Sequence, residues 1–156
     1  VRILDCAAVP DSFHARFGAT SRLYRYYCRR GESAIDRRVS WCLPKTAEVH
    51  KLRQCARLLH GEIDFTSFSK FSSEHVNGCC NVFQCEWNKR GDFVIFTMEA
   101  NRFLRHLIRY LVGSMIQAAK GGVTLEDFRN TLEARNPQAK VWKAPAAGLF
   151  LEKVSY

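Results

Sequence analysis

Three arginines stand close together in the second half of the sequence. Arg102, Arg105 and Arg109 are three and four residues apart, so a helix would carry them on one face, with His106 and Tyr110 beside them. Guanidinium groups this close repel one another unless anions lie opposite them. The spacing is therefore typical of phosphate contacts, or of an arginine that holds a carboxylate in a site. The alternative is a solvated basic face beside a core stripe.

Aromatic and basic side chains alternate between Ser12 and Tyr27. Alternation predicts a strand over residues 21–29, with Tyr24, Tyr26 and Cys28 on one face. Stacking on a tyrosine, with arginines on the phosphates, is how proteins hold single-stranded or flipped nucleotides. Strands also favour tyrosines as ordinary core residues, and the spacing leaves these two interpretations open.

Glu62 and Asp64 form a third candidate, either as an acid–base pair or as a tether for a loop, and the tether is the commoner arrangement. The seven cysteines have no metal-ligand spacing with the histidines, which predicts thiols in a reducing cytosol and no metal site. The sequence contains no glycine-rich phosphate loop.

Regular elements must position these side chains. Helical spacing predicts a helix that begins near Thr46 and ends at Gly61, and a second helix from an N-cap at Asn101 to about residue 119. A third helix begins at Thr124, with Asp127 completing a capping box. Strand-like runs cover residues 81–87 and 93–99, joined by a longer loop, and 149–155. The predicted class is α+β, an antiparallel sheet with helices packed on one side.

The chain of 156 residues has 24 lysines and arginines against 15 acids, a net charge of +9. Such an excess favours a polyanionic partner, and nucleic acid is the commonest. The sequence has neither an uninterrupted apolar stretch long enough to span a membrane nor a signal peptide. We therefore expect a single cytoplasmic domain without a membrane partner.

Four segments, in this order, resemble motifs of the TruA-type tRNA pseudouridine synthases. Residues 13–26 read F-H-A-R-F-G-A-T-S-R-L-Y-R-Y, and residues 58–68 read L-L-H-G-E-I-D-F-T-S-F. Residues 100–113 read A-N-R-F-L-R-H-L-I-R-Y-L-V-G, and residues 144–156 read A-P-A-A-G-L-F-L-E-K-V-S-Y. The resemblance implies the pseudouridine-synthase fold and the isomerisation of uridine to pseudouridine in the anticodon stem-loop of tRNA, by a homodimer that uses no cofactor and no metal.

The resemblance also implies roles for individual residues. Tyr24 matches the family's active-site tyrosine, which stacks on the flipped base. Arg109 matches the arginine that orients the nucleophilic aspartate. Leu149, or Leu151 nearby, matches the apolar residue that packs the pocket. The residues expected to contact RNA are Arg16, Arg22, Arg25, Arg102, Arg105 and His106, with Arg16 and Arg22 as structural or phosphate-contacting residues.

Two departures from the family's pattern stand out. None of the six aspartates lies in the R-T-D-x-G-V-H-A segment that carries the family's nucleophile. We therefore expect residues 1–156 to be a C-terminal domain that is inactive alone, preceded by an N-terminal domain of roughly 90 to 110 residues. Ala147 stands where the family commonly has histidine. The alternatives are a non-catalytic RNA-binding module of the same fold and a scaffolding domain for acidic proteins.

Overall fold

The computed structural model describes residue 3 and residues 5–70 and 77–156. These residues form a mixed sheet of six strands and three helices, an α+β arrangement as predicted. The elements in chain order are β1 (Ser21–Arg30), β2 (Trp41–Leu43), α1 (Val49–Arg57), β3 (Gly61–Asp64), β4 (Cys79–Arg90), β5 (Phe93–Ala100), α2 (Leu107–Ala119), α3 (Leu125–Glu133) and β6 (Leu149–Ser155).

The centre of the sheet is β1, which has neighbours on both sides. The strand order is β2-β1-β5-β4-β3, and β6 also pairs with β1. On one side β1 runs antiparallel to β5; on the other it pairs first with β6 and then with β2. The pairing of β1 with β2 is parallel, which makes the sheet mixed at that edge, whereas the other pairings among the described strands are antiparallel as predicted.

The helices cover one face of this sheet, as predicted. Tyr26 and Cys28 of β1 are fully buried beneath them, together with Phe96 and Met98 of β5. Alternation therefore places Tyr24 on the same face, where it is half-buried at the margin of the core. The side chain of Arg25 points to the opposite face.

Helix α2 begins at Leu107, so the prediction of a helix from Asn101 is wrong. Asn101 continues the sheet: its backbone N–H donates to the Asn81 carbonyl at 3.1 Å, and its Oδ1 accepts from the Asn81 N–H at 2.9 Å. His106 then adopts a left-handed conformation with φ of 66° immediately before the helix. Of the three clustered arginines only Arg109 lies in α2, so they do not share one helix face.

Two other boundaries differ from the predictions, and two agree. Helix α1 ends at Arg57 with Leu58 as its C-cap, whereas Gly61, with φ of 80°, begins β3. Strands β4 and β5 pair as far as Arg90 and Phe93, which leaves a two-residue turn in place of the longer loop. The α3 capping box and the bounds of β6 are as predicted.

Candidate active site

A cavity of about 760 Å³ opens beside Tyr24, at the end of β1 where the sheet meets the segment before α2. The tyrosine lies between Met98 of β5 and Leu151 of β6, and its ring meets Phe103 edge-on at 4.9 Å between centroids. The residues that line the cavity include Arg16, Arg22, Tyr24, Arg102, Phe103 and Leu151. The structure thus brings together an aromatic platform, an apolar wall and three of the predicted RNA-contacting arginines.

The three arginines of this cavity differ in how they are held. Arg22 donates from Nη1 to the carbonyls of Ala19 at 2.8 Å and Asn101 at 2.7 Å, and from Nη2 to the carbonyl of Arg16. Its guanidinium therefore ties the segment before β1 to the end of β5. Arg16 and Arg102 are exposed, which leaves their charges accessible from the cavity.

Arg109 is fixed by a pair of hydrogen bonds to one residue. Its Nε donates to the Ala144 carbonyl at 2.7 Å, and its own carbonyl accepts from the Ala144 N–H at 2.9 Å. Ala144 belongs to residues 141–148, a segment that crosses α2 and leads into β6, which we call the strap. The two terminal nitrogens of Arg109 have no acceptor among the described residues. They form the planar fork that suits a carboxylate.

The strap approaches α2 closely because position 113 is glycine. A Cβ built on Gly113 would lie 2.2 Å from the Trp142 carbonyl oxygen and 2.9 Å from the Ala144 nitrogen. Next to it, the Ser114 hydroxyl accepts from the Trp142 N–H at 3.2 Å. The first turns of α2 therefore hold the strap, and the strap in turn holds the guanidinium of Arg109.

Tyr24 and Tyr26 lie on the same face of β1 but have different surroundings. The Tyr26 hydroxyl is buried and donates to the Pro145 carbonyl at 2.8 Å. Burial, with a smaller contribution from Cys28, raises the Tyr26 pKa well above its ordinary value, although Arg109 opposes this. The Tyr24 hydroxyl has no hydrogen-bond partner among the residues described. Of the two, Tyr24 is thus the tyrosine available to a ligand.

The other predicted site residues do not lie together in one place. Leu149 lies opposite Tyr26 in the register and packs on the core, whereas Leu151 lies opposite Tyr24 and lines the cavity. Arg25 pairs with Glu152 at 2.8 Å on the face away from the cavity. The predicted RNA contacts Arg105 and His106 lie beside Arg109 and not in the Tyr24 cavity.

No carboxylate lines the Tyr24 cavity in the described part of the chain. Asp64, weighed as a catalytic residue, accepts at Oδ1 from the N–H of Thr66 at 2.9 Å and from its hydroxyl at 2.6 Å, which is the geometry of a loop tether. Asp36 and Asp92 both pair with Arg29, at 3.1 and 3.0 Å. Among the described residues, those that line the Tyr24 cavity therefore supply a tyrosine, arginines and an apolar wall but no aspartate, and Arg109 is not one of them.

Two other kinds of feature are absent from the described residues. No group of three histidine, cysteine, aspartate or glutamate side chains there is placed to hold a metal ion. Among the helices that the structure describes, none has the length and apolar character needed to cross a bilayer.

Comparison with known proteins places the chain in a family. A family model described as tRNA pseudouridine synthase matches residues 55–156. The tRNA pseudouridine synthase A of Chlorobium chlorochromatii is 37% identical over the whole chain, which covers 64% of that protein. The enzyme of the same name from Chlorobaculum tepidum is 41% identical, with 63% of its length covered, and that of Parabacteroides distasonis is 34% identical over 95% of the chain and 58% of its own length. The chain thus spans less than two thirds of these relatives, and it belongs to the tRNA pseudouridine synthase family.

Proposed function

We propose that this chain supplies the RNA-binding surface and part of the active site of an enzyme that isomerises uridine to pseudouridine in the anticodon stem-loop of tRNA. The observation that carries the proposal is the state of Arg109. Its Nε is bound to the strap, while the two terminal nitrogens have no acceptor among the described residues. An arginine held at one end is prepared to orient a carboxylate at the other.

In this proposal an aspartate attacks the ribose or the glycosidic carbon of a flipped uridine, and the bond between N1 and C1′ breaks. The free base turns and its C5 forms a bond to C1′ as the bond between the aspartate and the sugar breaks, which frees the carboxylate. The C5 proton is lost and N1 gains one, so the reaction is an isomerisation without a redox step. Arg109 orients the aspartate. Tyr24 stacks on the base and takes the C5 proton, and Leu151 forms the apolar wall that excludes water, while Leu149 packs on the core beside Tyr26.

We further propose that the aspartate comes from a domain that precedes these residues, with residues 1–156 as the C-terminal domain. Two observations support this: the named relatives are longer than this chain, and the described aspartates are committed elsewhere or lie outside the cavity. RNA contacts are assigned to Arg16, Arg102, Arg105 and His106, with Arg22 as a support for the cavity wall. A homodimer in the cytoplasm follows from the resemblance, and sedimentation of the full-length protein tests the dimer.

Release of label from tRNA carrying tritium at C5 of uridine tests the function. We expect release by the protein that includes its upstream domain and none by residues 1–156 alone. Arg109→Ala should lower the rate at least 100-fold, because the nucleophile loses its orienting partner. Arg129→Ala is the matched control, since Arg129 is an exposed arginine on α3 that pairs with Glu126. Full activity of Arg109→Ala would contradict the assignment, and tRNA binding without release by the full-length protein would favour a non-catalytic module.

A further inference from the structure

One large apolar side chain in the lining of the Tyr24 cavity is exposed. Phe17 keeps 74% of its surface accessible to solvent, which makes it the most exposed aromatic residue of the described part of the chain. An exposed residue in the lining of a cavity lies at its mouth, whereas the half-buried Tyr24 lies deeper. The cavity therefore has aromatic rings at two depths, and the reaction proposed above uses only the deeper one.

Phe17 belongs to residues 13–18, a turn before β1 that we call the rim loop. The Nδ1 of His14 accepts from the backbone N–H groups of Arg16 and Phe17, both at 3.2 Å. The His14 carbonyl accepts from the Gly18 N–H at 2.7 Å. The rings of His14 and Phe17 also lie 4.4 Å apart between centroids. The backbone that carries Phe17 is therefore fixed from within the loop.

Two residues outside the rim loop hold it against the sheet. Tyr156, which follows β6, donates from its hydroxyl to the Ala15 carbonyl at 3.0 Å. Arg22 of β1 donates from Nη2 to the Arg16 carbonyl. Both contacts are made to the backbone of the loop, so the loop is ordered while most of the Phe17 surface stays free. Because the loop is ordered on folding, a ligand that binds to Phe17 does not have to order it.

A fixed, exposed phenylalanine ring at the mouth of a cavity suits a flat ligand that can cover it. Apolar surface in water is unfavourable, and a nucleobase that stacks on the ring removes that surface from water. Stacking tolerates any base, because every base has a π face. The charges nearby favour a nucleotide over an uncharged ring, since the Arg16 guanidinium lies 5.3 Å from the Phe17 centroid and Arg102 lines the same cavity. A base on Phe17 would thus bring its phosphate towards cationic groups.

We propose that Phe17 stacks on the base next to the flipped uridine and so positions the strand at the mouth of the Tyr24 cavity. The inference rests on the proposed function, because it requires a uridine in that cavity. A uridine that leaves the helical stack deprives its neighbour of a stacking partner, which is part of the cost of base flipping. Phe17 replaces that partner and thereby stabilises the flipped state. It is a positioning residue, since it acts on the neighbouring base and takes no part in breaking or forming bonds.

A thermodynamic cycle between Phe17 and the neighbouring base tests the stacking contact. The protein includes its upstream domain, and the probe is a fluorescent anticodon stem-loop RNA with a single uridine, either intact or abasic immediately before or after that uridine. Phe17→Ala should weaken binding of the intact RNA about tenfold, and Phe17→Leu nearly as much, because leucine is apolar but has no ring face. With one of the two abasic RNAs the same substitutions should change the affinity by less than about twofold. Equal losses with the intact RNA and with both abasic RNAs would overturn the proposal.

Phe83→Ala is the matched control, because Phe83 is also an exposed phenylalanine, at 52%, but lies on β4 and does not line the cavity. Its affinity for the intact RNA should equal that of the parent, and a loss as large as that of Phe17→Ala would overturn the contact. Chemical denaturation of the same proteins identifies a protein partner for the ring. A Phe17→Ala protein that is less stable than the parent but binds RNA equally tightly would assign Phe17 to the interface with the upstream domain.

The kinetics of tritium release distinguish this inference from the proposed function. Phe17→Ala should raise KM for the stem-loop about tenfold and leave kcat within about threefold, since the stacked base is held equally in the bound and the reacting complex. A fall in kcat with unchanged KM would overturn the positioning role. If the parent releases no label while the coupling between Phe17 and the base persists, the proposed catalysis falls and the stacking contact stands. If the parent is active and the coupling is absent, the stacking contact falls and the proposed catalysis stands.

Discussion

Substitution of Gly113 by alanine tests whether the strap controls the position of Arg109. The added Cβ would lie 2.2 Å from the Trp142 carbonyl oxygen, 2.7 Å from the Trp142 carbonyl carbon and 2.9 Å from the Ala144 nitrogen. All three atoms are backbone, so no side chain can rotate away to make room. The strap must therefore move outward by about 1 Å to restore ordinary van der Waals separation.

Two opposing effects on stability decide the outcome. Alanine is favoured over glycine inside a helix by about 1 kcal/mol. Overpacking against fixed backbone costs about 1 to 3 kcal/mol, and the displaced strap also strains the two hydrogen bonds between Arg109 and Ala144. We therefore expect a net loss of up to about 2 kcal/mol in the free energy of unfolding. Displacement of a catalytic group by about 1 Å is worth roughly 100-fold in rate, so kcat should fall by that order with little change in KM for tRNA.

Chemical denaturation and single-turnover tritium release, on the full-length protein, measure the two effects. Gly122→Ala is the matched control: its Cβ would meet first the Gln117 side-chain oxygen at 3.0 Å, which can move. A Gly113→Ala protein that is more stable than the parent and fully active would refute the reasoning, because it would show that the strap yields without moving Arg109.

Two further substitutions distinguish residues that stabilise the fold around the site from residues that act in the reaction. Tyr26→Phe removes the hydroxyl that donates to the Pro145 carbonyl at 2.8 Å, so the free energy of unfolding should fall by about 1 to 1.5 kcal/mol while label release stays within about threefold of the parent. A much larger loss of label release would assign the active-site role to Tyr26. Arg22→Ala breaks the ties to the carbonyls of Arg16, Ala19 and Asn101, so stability should fall by about 1 to 2 kcal/mol and KM for tRNA should rise, since the cavity wall loosens; an unchanged denaturation midpoint would count against that supporting role.

Local sequence patterns predicted the elements that are determined by residues close to one another in the sequence. Alternation identified the buried face of β1 from Tyr26 and Cys28, and the Thr124 and Asp127 pair located the start of α3. The start of α2 was missed because Asn101 bonds to Asn81, a partner twenty residues away that the helical spacing of the arginines does not reveal. For the same reason no pattern indicated that Lys143 lies near Arg109.

The pair of hydrogen bonds between Arg109 and Ala144 also has a mechanical consequence. Only a few residues of the strap separate Ala144 from the first residue of β6, and that end is fixed too, since a Cβ on Gly148 would lie 2.7 Å from the Tyr27 carbonyl oxygen. The strap therefore behaves as a short rigid link that joins the edge of the sheet to a guanidinium. A movement of β6 relative to β1 would therefore also change the position of the Arg109 guanidinium. In the proposed two-domain enzyme, an upstream domain that contacted β6 would thus affect the orientation of Arg109 as well as supply the aspartate.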